Sequence, residues 1–391
     1  MPGSLSILMI APQFRPLIGG YERAAERLSL ELVRQGHEVT VIAERRDRRW
    51  LDTEFLHGLK IRRLWCVYRP GLHMLTSLAS YACYMIWRRS EYDLIHVHQY
   101  GSHAALAVAL GGLLKKPVVL KLTSTSREGI GSNQAGRTWK DRVVTALLRK
   151  VDLCIAPTGL AENEAIRFGI AAERIAVIPN GIDITVYKPC EATERERLRA
   201  RLGLTTEQTA LYMGRLSYAK NPEGLIDAWA TLHANMPDAR LLIVGDGPLR
   251  ASVERRIQRY QLGDVITLVG EQVNTPEWYA VADMFVLPSH YEGLSNSLIE
   301  AMSCGLPVVS TRVSGSTEIL EACDAGELVE INDMEGLASA MSRMLGDPAR
   351  SRQRGDVARR YVEHRMAVTT VASDMVERYW SLLDVSPWSS E

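Results

Sequence analysis

Residues 239–270 read ARLLIVGDGPLRASVERRIQRYQLGDVITLVG, and they set the grammar of the whole chain. An apolar run ends in the glycine-bracketed turn Val244-Gly245-Asp246-Gly247-Pro248. A helical segment follows, and a second apolar run, VITLVG, closes the unit. Runs rich in Val, Ile and Leu without clean polar alternation suit strands of a parallel sheet covered on both faces. Strand, helix and strand in that order form the repeating unit of an open doubly wound α/β domain.

The pattern extends in both directions. TALYMGR stands upstream, and MFVLPS, LPVVST and GELVEI follow, again separated by helical segments. The front half repeats it with SILMIAP, EVTVIA, LKIRRLW, DLIHVH, PVVLKLT, DLCIAPT and RIAVIPN. GYERAAERLSLELVRQG is a helix candidate with Gly36 as its natural stop. The expected organisation is an N-terminal Rossmann-like domain over 1–187 and a second over 188–365. A last helical run within 366–391 is expected to pack back onto the first. The charged stretch CEATERERLRARLGL, 190–204, reads as the hinge region. Ligands of such domains belong at the carboxyl ends of the strands, in a cleft between two facing sheets.

The chain has 391 residues, enough for two domains with their own cores. Its zero net charge hides an asymmetry: residues 1–185 hold 25 Lys+Arg against 17 Asp+Glu, and 186–391 hold 21 against 29. A basic front half points to an acidic partner or an anionic surface, although such charge often serves only solubility. The six cysteines form no C-x-x-C pair, which argues against a zinc site or disulfide framework and for a reducing cytosol. No basic leader opens the sequence, and no run reaches the ~20 apolar residues that span a bilayer. The expectation is a cytoplasmic protein, peripheral on a membrane at most, with no nucleic-acid partner.

Candidate site residues lie after strand ends. Gly19 and Gly20 precede a helix, where backbone N–H groups can approach a phosphate or sugar; the plainer reading is a tight turn. After TALYMGR, Gly214-Arg215-Leu216 and Lys220 put a bidentate and a point cation in one loop, suited to a diphosphate. As an isolated pair they read first as two solvated surface charges. Gly270-Glu271-Gln272-Val273 is turn chemistry first and a ligand contact second. Residues 290–309, HYEGLSNSLIEAMSCGLPVV, place Glu292 and Glu300 eight apart. Ser297 and Glu300 fit a capping box, but that leaves Tyr-Glu-Gly unexplained. No Asp-x-Asp occurs, so the usual cation clamp for a nucleotide diphosphate is missing, and protein cations must stabilise a departing diphosphate instead. No metal or cofactor is expected.

In order, GGxE, Asn180-Gly-Ile-Asp183, GRL…K at 214–220, GDGP at 245–248 and E-x7-E at 292–300 followed by GLPVV strongly resemble glycosyltransferase family 4. The resemblance runs from about residue 5 to about residue 385 and implies retaining enzymes of the GT-B fold, two Rossmann-like domains facing a central cleft. It implies that Glu300 holds the ribose hydroxyls of a nucleotide sugar and that Glu292 contacts hydroxyls of the transferred sugar. It places the backbone of Gly293, Leu294, Ser295 and Asn296 beside sugar or phosphates. Arg215 and Lys220 match its diphosphate cations, and Gly19 and Gly20 its front glycine loop. Many members carry a histidine where this chain has Thr123 and Ser124, with Lys121 before them; these, with His98 (beside His96) in DLIHVH, are the acceptor-side candidates.

The implied activity moves a hexose or N-acetylhexosamine, UDP-linked by preference, onto a lipid-linked or polysaccharide acceptor of bacterial surface-glycan type. GDP-mannose is the rival donor, and a small metabolite or natural product the rival acceptor. A catalytically silent sugar-nucleotide binder is the non-enzyme alternative; a sugar-nucleotide epimerase fits the E-x7-E and GRL…K segments poorly. Residues 72–89, LHMLTSLASYACYMIWRR, suit either a buried helix or a contact with an anionic membrane, and the buried helix is the expectation.

Overall fold

The computed structural model describes residues 3–16, 19–122, 138–204 and 208–384. Thr123 and Ser124 therefore lie outside the described residues. The chain divides into two compact units, Met1–Gly181 with Val368–Glu391 and Ile182–Ala367.

Unit 1 is built on β1 (Ser6–Ile10), β2 (Glu38–Glu44), β3 (Thr53–Leu56), β4 (Leu59–Leu64), β5 (Leu94–His98), β6 (Val118–Lys121), β7 (Leu153–Ala156) and β8 (Ile175–Val177). Its helices are α1 (Gly20–Arg34), α2 (His73–Trp87), α3 (Ser102–Leu114), α4 (Trp139–Leu148) and α5 (Gly159–Phe168). The strand order is β3-β4-β2-β1-β5-β6-β7-β8. All pairings are parallel except β3–β4, an antiparallel edge hairpin that the sequence reading did not separate. Its turn, His57-Gly58, has φ of 47° and 88°, and two successive positive φ values match the twist of a tight hairpin.

Unit 2 carries β9 (Thr209–Met213), β10 (Arg240–Val244), β11 (Ile266–Gly270), β12 (Met284–Leu287), β13 (Val308–Thr311) and β14 (Gly326–Val329). The order is β11-β10-β9-β12-β13-β14, with parallel pairings throughout. Helices α6 (Ala192–Arg201), α7 (Pro222–His233), α8 (Arg250–Arg259), α9 (Pro276–Val281), α10 (Asn296–Ser303), α11 (Ser314–Ala322), α12 (Met334–Gly346) and α13 (Pro348–Arg365) cover it. The last helix, α14 (Val368–Asp384), belongs to unit 1.

The central strands are mostly apolar because both their faces are buried. In β1, Ile7 and Met9 pack with α1 and α14, while Leu8 and Ile10 pack with α2, α3 and α5. In β10, Leu241 and Ile243 join one core and Leu242 and Val244 the other. Fully burying one such side chain contributes roughly 1.5–3 kcal/mol, and this is what seats α14: Val371, Met375 and Tyr379 all enter the unit 1 core.

The stretch 190–204 is not a hinge. Its middle is α6, with Leu198 buried, and Arg195 donates to the Ala280 and Ala282 carbonyls and pairs with Asp283 at 2.5 Å. Arg199 reaches the Val281 carbonyl at 2.6 Å. The chain changes units earlier than the 187/188 boundary, at Gly181–Ile182, and returns at Ala367–Val368. The two crossings lie side by side: the Ile182 N–H donates to the Met366 carbonyl at 2.8 Å, and a Cβ on Gly181 would come within 2.9 Å of the Val368 Cα. Tyr187 is fixed within unit 2, its hydroxyl 2.9 Å from Thr275 Oγ1 and its carbonyl accepting from Arg359 and Ser303.

Helix α2 departs from the buried-helix expectation. Only Ser77, Tyr81 and Met85 are buried, one row at helical spacing, and the remaining apolar side chains are partly or largely exposed.

Candidate active site

The carboxyl ends of β9, β10, β12 and β13 assemble one polar surface in unit 2. After β9 the chain turns through Gly214 and Arg215 into a short turn, Tyr218–Lys220, and then α7. Asn221 takes the left-handed conformation (φ 47°) and caps α7, accepting from the Gly224 N–H at 3.0 Å. After β12, the His290 N–H donates to the Ala219 carbonyl at 2.8 Å, and the His290 ring lies 4.7 Å from that of Tyr218. These contacts bring the 290s loop against the 218–220 turn, where Lys220 Nζ forms an ion pair with Glu292. The cation and the carboxylate that the sequence put 72 residues apart are thus in direct contact. Arg215 is exposed on the same turn, its carbonyl accepting from the buried Tyr212 hydroxyl at 3.1 Å. Burial, with the Glu292 charge behind it, pushes the Tyr212 phenol far up, so it stays a neutral donor.

Glu300 sits in the second turn of α10, 3 % exposed, and its Oε2 accepts from Tyr279 at 2.9 Å. The capping box is not formed: the N-cap is Ser295, without a side-chain cap bond, and Ser297 Oγ instead lies 3.1 Å from Ser295 Oγ. Glu300 is therefore held by tertiary packing rather than by its own helix end. Burial, then the Glu300 charge, drives the Tyr279 phenol upward.

Glycines set how closely the loops approach. Gly315 donates to the Gly293 carbonyl at 3.0 Å, and a Cβ there would lie 2.5 Å from that oxygen. Gly245, at φ +135°, would put a Cβ 2.0 Å from the Gly214 carbonyl oxygen. Gly214 spends its N–H on Val244, and Leu294 turns its side chain into the core, leaving only its main chain for other contacts. Asn296 opens α10, where first-turn N–H groups have no intrahelical acceptor. Val273 is 79 % exposed.

The front-half candidates separate into two groups. Gly19 is the extended N-cap of α1, with Gly20 first in the helix; a Cβ on Gly19 would fall 2.1 Å from Glu22 Oε2. Glu22 is buried, and burial pushes its carboxyl up. His98 pairs in register with Lys121, and both are buried in the sheet. The His98 ring stacks on His96 at 4.6 Å, and His96 Nδ1 bonds the Tyr379 hydroxyl of α14. Burial pushes the Lys121 amine down to about 8 and, with Lys121 adding to it, His98 down to about 3.

Three residues outside the sequence candidates matter: Tyr279, Tyr212 and Glu44. The tyrosines stand in apolar runs indistinguishable from core. Glu44, at the end of β2, accepts from Tyr68 at 2.7 Å and Ser77 at 2.8 Å, with His73 at 3.1 Å and Arg46 at 3.3 Å. Burial raises its carboxyl, but these bonds and charges outweigh it and the net shift is downward. Glu44, Cys66 and His73 bring ligand-type atoms within 4.8 Å of one another.

Two family models match, "Glycosyltransferase Family 4" over residues 18–186 and "Glycosyl transferases group 1" over 194–361. N-acetyl-alpha-D-glucosaminyl L-malate synthase of Bacillus anthracis is 25 % identical over 376 residues, covering 94 % of this chain and 95 % of that protein. D-inositol 3-phosphate glycosyltransferase 1 of Catenulispora acidiphila is 30 % identical over 295 residues, 70 % of this chain and 68 % of its own. A GDP-mannose-dependent phosphatidylinositol dimannoside mannosyltransferase of Mycobacterium tuberculosis is 27 % identical, covering 92 % of each. Among solved structures, sucrose-phosphate synthase of Thermosynechococcus elongatus superposes with a TM-score of 0.82 at 26 % identity, covering 97 % and 99 %. Anabaena Alr3699/HepE, solved with UDP and glucose, gives 0.79 at 22 %, covering 97 % and 100 %.

Proposed function

Because the chain belongs to glycosyltransferase family 4 and has the GT-B fold, we propose that it transfers a hexose or N-acetylhexosamine from a UDP-sugar, with retention, to a lipid-linked or polysaccharide acceptor. The observation that carries this reading is the ion pair between Lys220 and Glu292. A donor that lays its diphosphate on Lys220 and Arg215 has its sugar hydroxyls beside Glu292, so leaving group and transferred group are fixed together. Charge-assisted hydrogen bonds of both signs supply that hold.

In the transfer, the bond between the anomeric carbon and the diphosphate oxygen breaks, and the bond to the acceptor oxygen forms on the same face. A donor phosphate oxygen takes the acceptor proton. Lys220 and Arg215 stabilise the charge gathering on the diphosphate, the role a divalent cation fills in Asp-x-Asp enzymes. Glu292 positions the sugar and makes no covalent bond, and the chemistry uses no metal. Glu300, ordered by Tyr279, accepts from the ribose hydroxyls. Work on a lipid-linked glycan places the protein in the cytoplasm at the inner face of the cell membrane.

UDP is favoured by the neighbour that holds it, and GDP-mannose by the mannosyltransferase relatives. Calorimetric titration of UDP, GDP and ADP into the wild type and Glu300→Ala decides between them. One nucleotide should bind, and the variant should lose it by tenfold or more. A wild type that binds none of the three sinks the reading.

A further inference from the structure

The sheet of unit 1 has two helical coats of opposite character. On one side, α14 presents Thr369, Ser373, Asp374, Glu377, Arg378 and Ser381 outward, and α1 is laced with Glu and Arg. On the other side lie α2, α3 and α4, with α2 packed on α3 and α3 on α4. Neither α2 nor α3 contains a single Asp, Glu, Lys or Arg. Their outward residues are apolar or small: Leu75 (66 % exposed), Ala79, Cys83, Ile86 and Trp87 (80 %) on α2, then Ala109, Gly112 and Leu113 (74 %) on α3. Trp139 (72 %) and Val143 continue the surface on α4. Charge returns at the start of α4, with Lys140, Asp141 and Arg142, and again at α5, with Glu162, Glu164 and Arg167.

A soluble coat of this kind wastes hydrophobic side chains on water, and contiguous exposure of this sort marks an interaction surface. Its border is cationic. Arg69 precedes α2, Arg88 and Arg89 follow it, Lys115 follows α3, and Lys140 and Arg142 stand exposed on α4. From Trp65 to Leu122 the acids are Glu91 and Asp93 alone. Glu91 pairs with Arg88, and Asp93 accepts the Ser6 N–H at 2.8 Å.

We infer that the outer face of α2, α3 and α4 docks flat on an anionic lipid bilayer, with Leu75, Trp87, Leu113 and Trp139 entering the headgroup–acyl boundary. The inference deepens the proposed function by naming the surface on which a membrane-borne acceptor is met, and it rests on that reading for its purpose only. No helix among the described residues is long and apolar enough to cross a membrane, so the mode is interfacial. The cationic border decides the occupant. A second copy meeting this face across a two-fold axis would bring its basic border against another basic border, whereas anionic headgroups neutralise it. Each basic residue at an anionic surface adds roughly fivefold to partitioning.

The test is flotation of the full chain with vesicles of phosphatidylcholine alone and of phosphatidylcholine with phosphatidylglycerol. Wild type should float with the anionic vesicles, less so at high salt, and stay behind with the neutral ones. Leu75→Glu with Trp87→Glu, and separately Arg69→Glu with Arg88→Glu and Arg89→Glu, should each cut recovery at least tenfold. Nucleotide titration of the same variants should be unchanged, which certifies their fold and separates the two readings. Vesicle binding without nucleotide binding keeps the docking face and discards the proposed donor. Equal recovery on neutral and anionic vesicles, or variants that float like wild type, overturns the inference. So does a lipid-free dimer that Leu75→Glu dissolves, because the face would then be covered by a second copy.

Discussion

Units 1 and 2 share one strand–helix grammar yet arrange their polar residues differently. In unit 2 Glu292 stands partly exposed in a loop beside Lys220, while Glu300 is buried in the second turn of α10 against Tyr279. In unit 1 the polar residues at the strand ends are buried, Glu44 in a network of four partners and His96, His98 and Lys121 inside the sheet. On the proposed function the difference has a reason: nucleoside-diphosphate sugars share their diphosphate, so a fixed ion-pair geometry in unit 2 serves any of them, whereas acceptors vary more widely in chemistry.

The contrast breaks most sharply at Lys220. Replacing it by Ala removes a cation from the place where the proposed transfer gathers diphosphate charge and breaks the ion pair with Glu292. The kcat should fall about 10²–10³-fold, ~2.7–4 kcal/mol of transition-state stabilisation, while the unfolding midpoint of unit 2 changes little. Glu292→Ala should keep nucleotide affinity and lose turnover. Near-wild-type turnover in either variant, measured as sugar transferred under saturating donor, would show that the pair is an ordinary surface ion pair.

How much of this was legible follows the same line. Glu292, Glu300, Arg215 and Lys220 were singled out by the motifs they share with the family, and the fold adds what spacing does not show: Lys220 lies against Glu292, and Glu300 is buried against Tyr279. Both sheets were readable because two-sided burial leaves uninterrupted apolar runs such as LLIV and LCIA. The edge strand β3 was not, since TEFL is short and its pairing rests on a two-residue turn. The hinge reading of 190–204 failed because charge density says nothing of packing: Arg195 and Arg199 are charged and still spend themselves on carbonyls of α9 and the segment after it. Glu300 looked like a cap because spacing is one-dimensional, and only the fold shows that α10 starts at Asn296. Tyr279 gives no signal at all, as a tyrosine that bonds a buried carboxylate and one that fills a core read alike.

The buried histidines of unit 1 sharpen the comparison through pH. His98 is held near 3 against an ordinary value of 6.5, so between those values the unfolded chain binds more protons than the folded one. The stability of unit 1 must rise with pH across that window, and acidification from 6.5 downward must remove it. The slope is about 1.4 kcal/mol per pH unit for each such histidine. Urea midpoints followed from pH 7 to pH 4 should fall, and His98→Phe should flatten the curve while leaving that of unit 2 alone. A variant with the wild-type slope would mean that His98 is not the group being charged.

The smallest effect expected is at Tyr379, and it isolates the way α14 is held. The helix is seated by apolar burial of Val371, Ala372 and Met375, so removing one hydroxyl should not detach it. Tyr379→Phe keeps the ring and deletes the hydroxyl facing His96 Nδ1, on a ring whose Nε2 has no partner among the described residues. The cost is that of one buried hydrogen bond, about 1 kcal/mol and up to ~3 if His96 finds no water. Urea unfolding should show the stability of unit 1 lowered by that amount, as a lower midpoint with its slope unchanged. Hydrogen exchange should show α14 opening sooner than β5. If the slope fell as well, α14 would have come away in the native state, and its hold on unit 1 would lie in that single polar contact rather than in the apolar face beneath it.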